Sequence, residues 1–208
     1  MRNYLRAYLS RKSCGIADDD LHMAVLIMDM VPADYAFVLH SVNPTSGRTD
    51  EVFGEVVVGL GETLVGNEPG SALSFLVSKT DGKVTILNLP SKLRAQFIAT
   101  HADEGGGNAG VVIARSDSNG EDLEAFAGAG LYESHPVRPN VSMAVDYANE
   151  RLFWDTSFIE ATARRLCDIA VSVEKLAGAP QDIEGALCLN DTMPHPDIYL
   201  VQSRTQIV

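Results

Sequence analysis

Three stretches of this sequence carry side chains able to hold phosphate oxygens or a hard cation. The first is Ala114-Arg-Ser-Asp-Ser-Asn-Gly-Glu-Asp122, in which an apolar run delivers Arg115 into a loop of hydroxyls and Asn-Gly. Arginine offers phosphate a planar fork of N–H donors, and Ser118 followed by Glu121 has the spacing of a capping box, whose helix start would add further N–H groups. Two readings stand here. One is a phosphate cradle; the other is a strand-to-helix connection whose Arg115 pairs with Asp117, Glu121 or Asp122.

The second stretch is a pair of C-terminal strands, Asp182–Leu189 and Ile198–Arg204. An antiparallel register centred near Met193 sets Cys188 opposite Ile198, Ala186 opposite Leu200, Glu184 opposite Gln202 and Asp182 opposite Arg204. Residues two apart share a sheet face, so the end far from the turn is polar on one face. A carboxylate beside a carboxamide supplies hard oxygen ligands for Mg²⁺, and an adjacent arginine can hold phosphate. The plainer reading is a surface salt bridge between Asp182 and Arg204 beside a cross-strand hydrogen bond between Glu184 and Gln202. The third stretch, Glu55-Val-Val-Val-Gly-Leu-Gly-Glu-Thr-Leu-Val-Gly66, bends at two glycines flanking Leu60, with Glu62 at the bend. Glycine there permits close approach of a ligand, or simply ends a strand. It is not a P-loop, because GxxxxGK[ST] is absent.

Five histidines (His22, His40, His101, His135 and His195) complete the inventory. None sits beside residues that would orient an imidazole for catalysis, and His40, within an apolar strand, reads as a hydrogen-bonded core residue. No catalytic residue is assigned within the chain.

The elements that must position these side chains follow from periodicity. Met23–Val31 and Tyr35–Val42 read as a strand, a turn at Pro32–Asp34 and a strand, and Glu51–Val58 continues in β-branched residues. Ala72–Ser78 and Lys83–Leu89 form a hairpin around Asp81-Gly82. Gly110–Ala114 is a short strand ending at Arg115, and Glu104–Asn108 is a loop. One long helix runs from about Thr156 to Ala177, with Phe158, Ile159, Ala163, Leu166, Ile169, Ala170, Val173 and Leu176 on its core stripe. Asp155 or Thr156 caps its start, and Gly178 and Pro180 end it. Residues 1–22 are polar and mixed, with Tyr4, Leu5, Tyr8 and Leu9 at helical spacing. The order predicts an α+β fold with mostly antiparallel sheets and one long helix.

Acidic residues outnumber basic ones by 28 to 16, for a formal charge of −12, which argues against nucleic acid as a partner. No apolar run approaches the ~20 residues that cross a bilayer, and no secretory segment opens the chain. Cys14, Cys167 and Cys188 lack metal-ligand spacing and read as reduced thiols of a soluble intracellular protein.

Four runs in this order, Ala24–Asn43, Glu55–Ser74, Arg115–Ser134 and Pro180–Gly185 with Val201–Arg204, resemble the C-terminal nucleotide-binding region of α-glucan water dikinases. The resemblance extends from about Arg6 to Arg204. Pyruvate phosphate dikinase and phosphoenolpyruvate synthase share the shorter cores. The resemblance implies an ATP-grasp-type fold spanning the chain, with a hinge and first sheet at about 20–100 and a phosphate loop, helix and strand pair at about 110–204. It implies that Arg115, Arg204 and Glu62 meet ATP phosphates, that the hinge at Met28, Asp29 and Met30 meets adenine, and that Glu184 and Gln202 hold Mg²⁺. Ile27-Met28-Asp29 stands where Val-Gln-Glu is usual, and Thr205 where proline is usual.

The implied reaction is ATP + α-glucan + H₂O → AMP + phosphoglucan + phosphate, with the β-phosphate passing through a histidine outside this chain. Starch-like glucan would be the partner through modules not in the chain, and the plastid the compartment, with the cytoplasm as alternative. A chain that opens at the family's midpoint reads as a fragment, a partial gene model or a divergent remnant, lacking the N-terminal part of the fold and expected to be inactive alone. A phosphoenolpyruvate synthase-type dikinase fragment and a non-catalytic nucleotide-binding or interaction module are the alternatives.

Overall fold

The computed structural model describes residues 22–66, 69–99, 111–118, 122–123, 126–127, 134–136, 139–190 and 192–207. In chain order the elements are β1 (Met23–Asp29), β2 (Tyr35–His40), β3 (Glu51–Val58), α1 (Glu62–Val65), β4 (Leu73–Ser78), β5 (Val84–Asn88), β6 (Arg94–Ile98), β7 (Val112–Ser118), β8 (Asp122–Leu123), β9 (Phe126–Ala127), β10 (Ser134–Pro136), β11 (Asn140–Ala144), α2 (Arg151–Trp154), α3 (Thr156–Ala177), β12 (Gln181–Cys188) and β13 (Asp197–Thr205). All strand pairs among them are antiparallel. The mixed α and β content, antiparallel sheets and one long helix agree with the sequence. Among the described residues no helix is long and apolar enough to cross a membrane.

The chain divides into two compact units: Met1–Met30 with Ala99–Pro139, and Val31–Ile98 with Asn140–Val208. In the first, β7 lies between β1 and β10, and β8 pairs with β9. Two expectations change here. The strand entered at Gly110–Ala114 does not stop at Arg115 but continues to Ser118, paired with β1 from Asp29↔Val112 to Met23↔Ser118. No helix starts at Ser118 among the described residues, since Asp122–Leu123 is a strand. A capping residue contributes on the order of 1 kcal/mol, and a ladder with partners on both sides of β7 outweighs it. The loop at Glu104–Asn108, the helical spacing before residue 22, Cys14 and His101 lie outside the described residues.

In the second unit, six strands run in the order β13-β12-β2-β3-β4-β5, and β6 pairs with β11. Alternation gives β2, β3, β4 and β12 one apolar face: Tyr35, Phe37 and Leu39; Val52, Val56 and Val58; Leu73, Phe75 and Val77; Ile183 and Leu187. Helix α3 covers this face with Phe158, Ile159, Ala163, Leu166, Cys167 and Ala170, all buried. Its limits are the expected ones. The Asp155 carboxylate accepts from the Phe158 N–H, and Gly178 ends the helix in the left-handed conformation. Leu176, placed on the core stripe by spacing, is 87% exposed, because the helix outruns the sheet in its last turn. The hairpin β4–β5 forms as expected. Burial of the Tyr35 ring, followed by Glu150, which accepts its hydroxyl proton, pushes that hydroxyl's pKa up. Burial likewise raises the Cys167 thiol to about 11, so it packs as a small apolar side chain.

Candidate functional site

The polar face of the large sheet is the one turned away from α3. Because Ile183 and Leu187 enter the core, Asp182 and Glu184 point the other way. The pairing of β12 with β13 sets Glu184 opposite Gln202 and Asp182 opposite Arg204, as expected. Nearer the turn the register differs by one residue: Ala186 faces Tyr199, not Leu200, and Cys188 faces Asp197, not Ile198. The irregularity falls between Glu184 and Gly185, where Val201 is the extra residue of a β-bulge. Gly185 is required there, since a Cβ would lie 2.1 Å from the Phe37 ring and 2.5 Å from the Tyr199 carbonyl oxygen. The row containing Glu184 continues across the sheet as Val38, Glu55, Ser74 and Asn88.

One row along, Arg204 donates from Nε (2.9 Å) and Nη2 (2.7 Å) to the same oxygen, Oδ2, of Asp182. The salt bridge foreseen as the plainer reading therefore forms, and it is largely shielded, with side-chain exposures of 25% and 13%. On the far side of Asp182 stands His40 of β2, its Nδ1 3.9 Å from Asp182 Oδ1. His40 is thus not the hydrogen-bonded core histidine expected: its Nδ1 is buried without a hydrogen-bond partner, as is Asp182 Oδ1. One signal was present in the sequence. In Tyr35–His40 the alternate residues Ala36, Val38 and His40 share the face opposite the core, so a polar end to that face needs a polar neighbour.

The Gly-Leu-Gly bend is clasped to β6. Gln96 accepts the Leu60 N–H through its carbonyl oxygen (2.8 Å), and its own N–H is donated to Thr63 Oγ1 (2.9 Å). Gly59 has φ +78°, and a Cβ there would lie 2.3 Å from the Gln96 oxygen. The close approach that this glycine permits is therefore to the chain's own backbone. Around Gly61 the space is open. Glu62 opens the one-turn helix α1, half-buried, fixed in place by this clasp.

In the first unit Arg115 sits in the central strand, half-buried, opposite Leu26 on one side and Ser134 on the other. The hinge residues lie at the end of β1, an edge strand among the described residues. The Met30 N–H donates to the Val111 carbonyl (2.6 Å). In an antiparallel ladder alternate residues turn their backbone groups to the same side, so Met28 also faces β7 while the N–H and C=O of Asp29 face the open edge. The structure therefore groups Arg115 with the hinge in one unit, and Glu62, Glu184, Gln202 and Arg204 in the other.

Among the described residues no group of three or more His, Cys, Asp or Glu side chains is arranged so that it could hold a metal ion. Glu184 and Gln202, side by side, supply two hard oxygen donors and no cage. That donor set fits Mg²⁺, which keeps several waters and is usually held by one or two carboxylates together with substrate phosphates.

From residue 3 to residue 208 the sequence matches the family described as pyruvate phosphate dikinase, AMP/ATP-binding domain. The chain belongs to that family. It is 42% identical over 203 residues to an α-glucan water dikinase, chloroplastic, of Solanum tuberosum, and 41% identical to α-glucan water dikinase 1, chloroplastic, of Arabidopsis thaliana. Each alignment takes in 97% of this chain and 13% of the relative. A phosphoenolpyruvate synthase of Aeropyrum pernix is 28% identical over 205 residues, covering 98% of this chain and 23% of that protein. The resemblance expected from the four sequence runs is thereby established, and the chain is an AMP/ATP-binding domain spanning about an eighth of its plant relatives' length. On the polar sheet face a carboxylate, a carboxamide and a carboxylate-braced arginine stand side by side, groups whose chemistry suits hard cations and phosphate oxygens.

Proposed function

We propose that this chain binds Mg-ATP, in an ATP-grasp-type fold, as the nucleotide-binding part of an α-glucan water dikinase that transfers the β-phosphate of ATP to starch-like glucan in a plastid. The observation carrying this reading is the cross-strand quartet Glu184, Gln202, Asp182 and Arg204 on the sheet face turned away from α3, within a chain 42% identical to such a dikinase. Glu184 and Gln202 would hold the metal through their side-chain oxygens, and Arg204, its guanidinium plane set by Asp182, would meet phosphate oxygens. Mg²⁺ held there would supply neutralisation of the triphosphate charge. Arg115 supplies a second phosphate contact, Asp29 offers its outward backbone N–H and C=O to the adenine edge, and Glu62 borders the phosphates. The contribution of these residues is positional and electrostatic. Phosphate leaves the nucleotide for a histidine outside the chain, and none of its own five histidines is the acceptor.

Calorimetric titration tests the reading. ATP with Mg²⁺ binds, ATP with EDTA binds far more weakly, and Glu184→Gln raises the Mg²⁺ concentration needed for half-maximal binding while the circular dichroism spectrum is unchanged. An unaltered Mg²⁺ dependence in that variant removes Glu184 from the metal site.

A further inference from the structure

We propose that His40 is a positioning residue: acting through Asp182, it fixes the guanidinium of Arg204 that faces the nucleotide phosphates. The proposal rests on the phosphate-site reading above and adds to it a residue that touches neither metal nor nucleotide.

Arg204, Asp182 and His40 lie side by side on three adjacent strands, β13, β12 and β2. Arg204 spends two N–H groups on a single carboxylate oxygen, Oδ2. A carboxylate held by one oxygen can swivel about its Cβ–Cγ bond and carry the guanidinium with it. A contact at the other oxygen, Oδ1, opposes that swivel. That oxygen is buried, lacks a hydrogen-bond partner, and faces His40 Nδ1 at 3.9 Å. Nδ1 is buried and lacks a hydrogen-bond partner too.

Two buried lone pairs facing each other repel, whereas a proton on Nδ1 makes the same geometry attractive. The geometry therefore puts the proton on Nδ1. The ring is also braced from the other side, where Phe53 of β3 lies 5.9 Å away between ring centroids. The 3.9 Å separation is longer than a hydrogen bond, so before a ligand arrives the Nδ1 proton attracts Oδ1 without closing on it. That attraction biases the direction in which Asp182 holds Arg204, which lowers the ordering cost of binding, and the contact closes to a hydrogen bond as phosphate draws the guanidinium in.

The test uses the ¹⁵N-labelled chain. Long-range ¹H–¹⁵N spectra read the tautomer of His40, and the Nε–H signal of Arg204, assigned by its loss in Arg204→Lys, reports the guanidinium. His40→Leu removes the donor; His40→Asn returns an N–H near the place of Nδ1. The expected result is a proton on Nδ1 in the native chain, a displaced Arg204 signal with about ten-fold weaker Mg-ATP affinity in His40→Leu, as for loss of one charge-assisted hydrogen bond, and recovery of both in His40→Asn. A native His40 protonated only on Nε2 overturns the proposal. So does an Arg204 signal that His40→Leu leaves in place, or an Asn variant that recovers nothing. Should His40→Leu fail to fold, the native tautomer and the Asn variant decide. If the spectra come out as expected but the native chain binds no Mg-ATP, the phosphate-site reading fails while the His40–Asp182–Arg204 link stands.

Discussion

Replacing Gly185 by alanine tests whether the bulge next to Glu184 is what builds the site. The added Cβ would stand 2.1 Å from Phe37 Cζ and 2.5 Å from the Tyr199 carbonyl oxygen, against the 3.4 Å at which ordinary contact begins. Phe37 is 1% exposed and has no room to swing away, and the Tyr199 oxygen belongs to the backbone of β13. Overpacking of this kind costs about 3 kcal/mol at the upper end of its usual range. Removing a glycine from a strand returns up to about 1 kcal/mol, so the net loss is about 2 kcal/mol. A domain with an ordinary stability of about 5–15 kcal/mol stays folded after such a loss. Urea unfolding followed by circular dichroism reads the destabilisation, and calorimetry reads Mg-ATP affinity in the folded variant. Relief of the clash requires β13 to move against β12, so affinity falls as well as stability. Gly54→Ala in β3 is the control, since the nearest atoms to its Cβ belong to side chains, Phe75 of β4 at 2.4 Å and Leu39 of β2 at 3.0 Å. It loses stability and keeps its affinity for Mg-ATP. An unchanged urea midpoint in Gly185→Ala, or equal loss of affinity in both variants, refutes the reasoning.

Two further outcomes are expected. Arg115→Ala weakens Mg-ATP binding by about 1.5–3 kcal/mol, the scale of a hydrogen bond to a charged group; unchanged affinity in a titration would leave Arg115 a structural role only. The Asp155 carboxyl is held below its ordinary range by the Phe158 N–H and then by Arg151, so the stability it contributes is present above the unfolded carboxyl's pKa and lost as pH falls through the lower folded value. Asp155→Ala therefore has a lower urea midpoint than the native chain at pH 7, and the two midpoints converge below about pH 4; a constant difference from pH 7 to pH 3 counts against the charge.

Where local chemistry fixes an element, the sequence was enough. Helix α3 starts where the Asp155 carboxylate finds the Phe158 N–H and ends where Gly178 turns left-handed, and both residues are visible as caps. The β4–β5 hairpin is likewise local. What the sequence left open are choices of distant partner. Met23–Val31 and Tyr35–Val42 read as consecutive strands, but β1 pairs with β7, nearly ninety positions along, and β2 with β3 and β12. An apolar run carries no mark of which strand will lie beside it. The same cause explains Arg115: the residues after it look like a loop and a helix start, and only the presence of β1 extends the strand through them. His40 belongs in this group, since its role depends on Asp182, which is 142 residues away and arrives through sheet pairing.

The β12–β13 register shows how narrowly the candidate site depends on one such non-local detail. Near the turn the pairs are Cys188↔Asp197, Leu187↔Ile198 and Ala186↔Tyr199. Continued without interruption, that register would set Glu184 opposite Val201 and Asp182 opposite Ser203. Side chains alternate along a strand, so a slip of one residue reverses which face each occupies. Gln202 and Arg204 would then turn to the face covered by α3, Gln202 opposite Ile183 and Arg204 opposite Gln181. The extra residue at Val201 corrects the count, bringing Gln202 beside Glu184 and Arg204 beside Asp182. A centre of symmetry at Met193 gives the right pairs at the polar end because it already contains that extra residue, and the wrong pairs at the turn for the same reason. The bulge is therefore part of the site: with one residue fewer in β13, this pair of strands would keep its hydrogen bonds and lose the quartet.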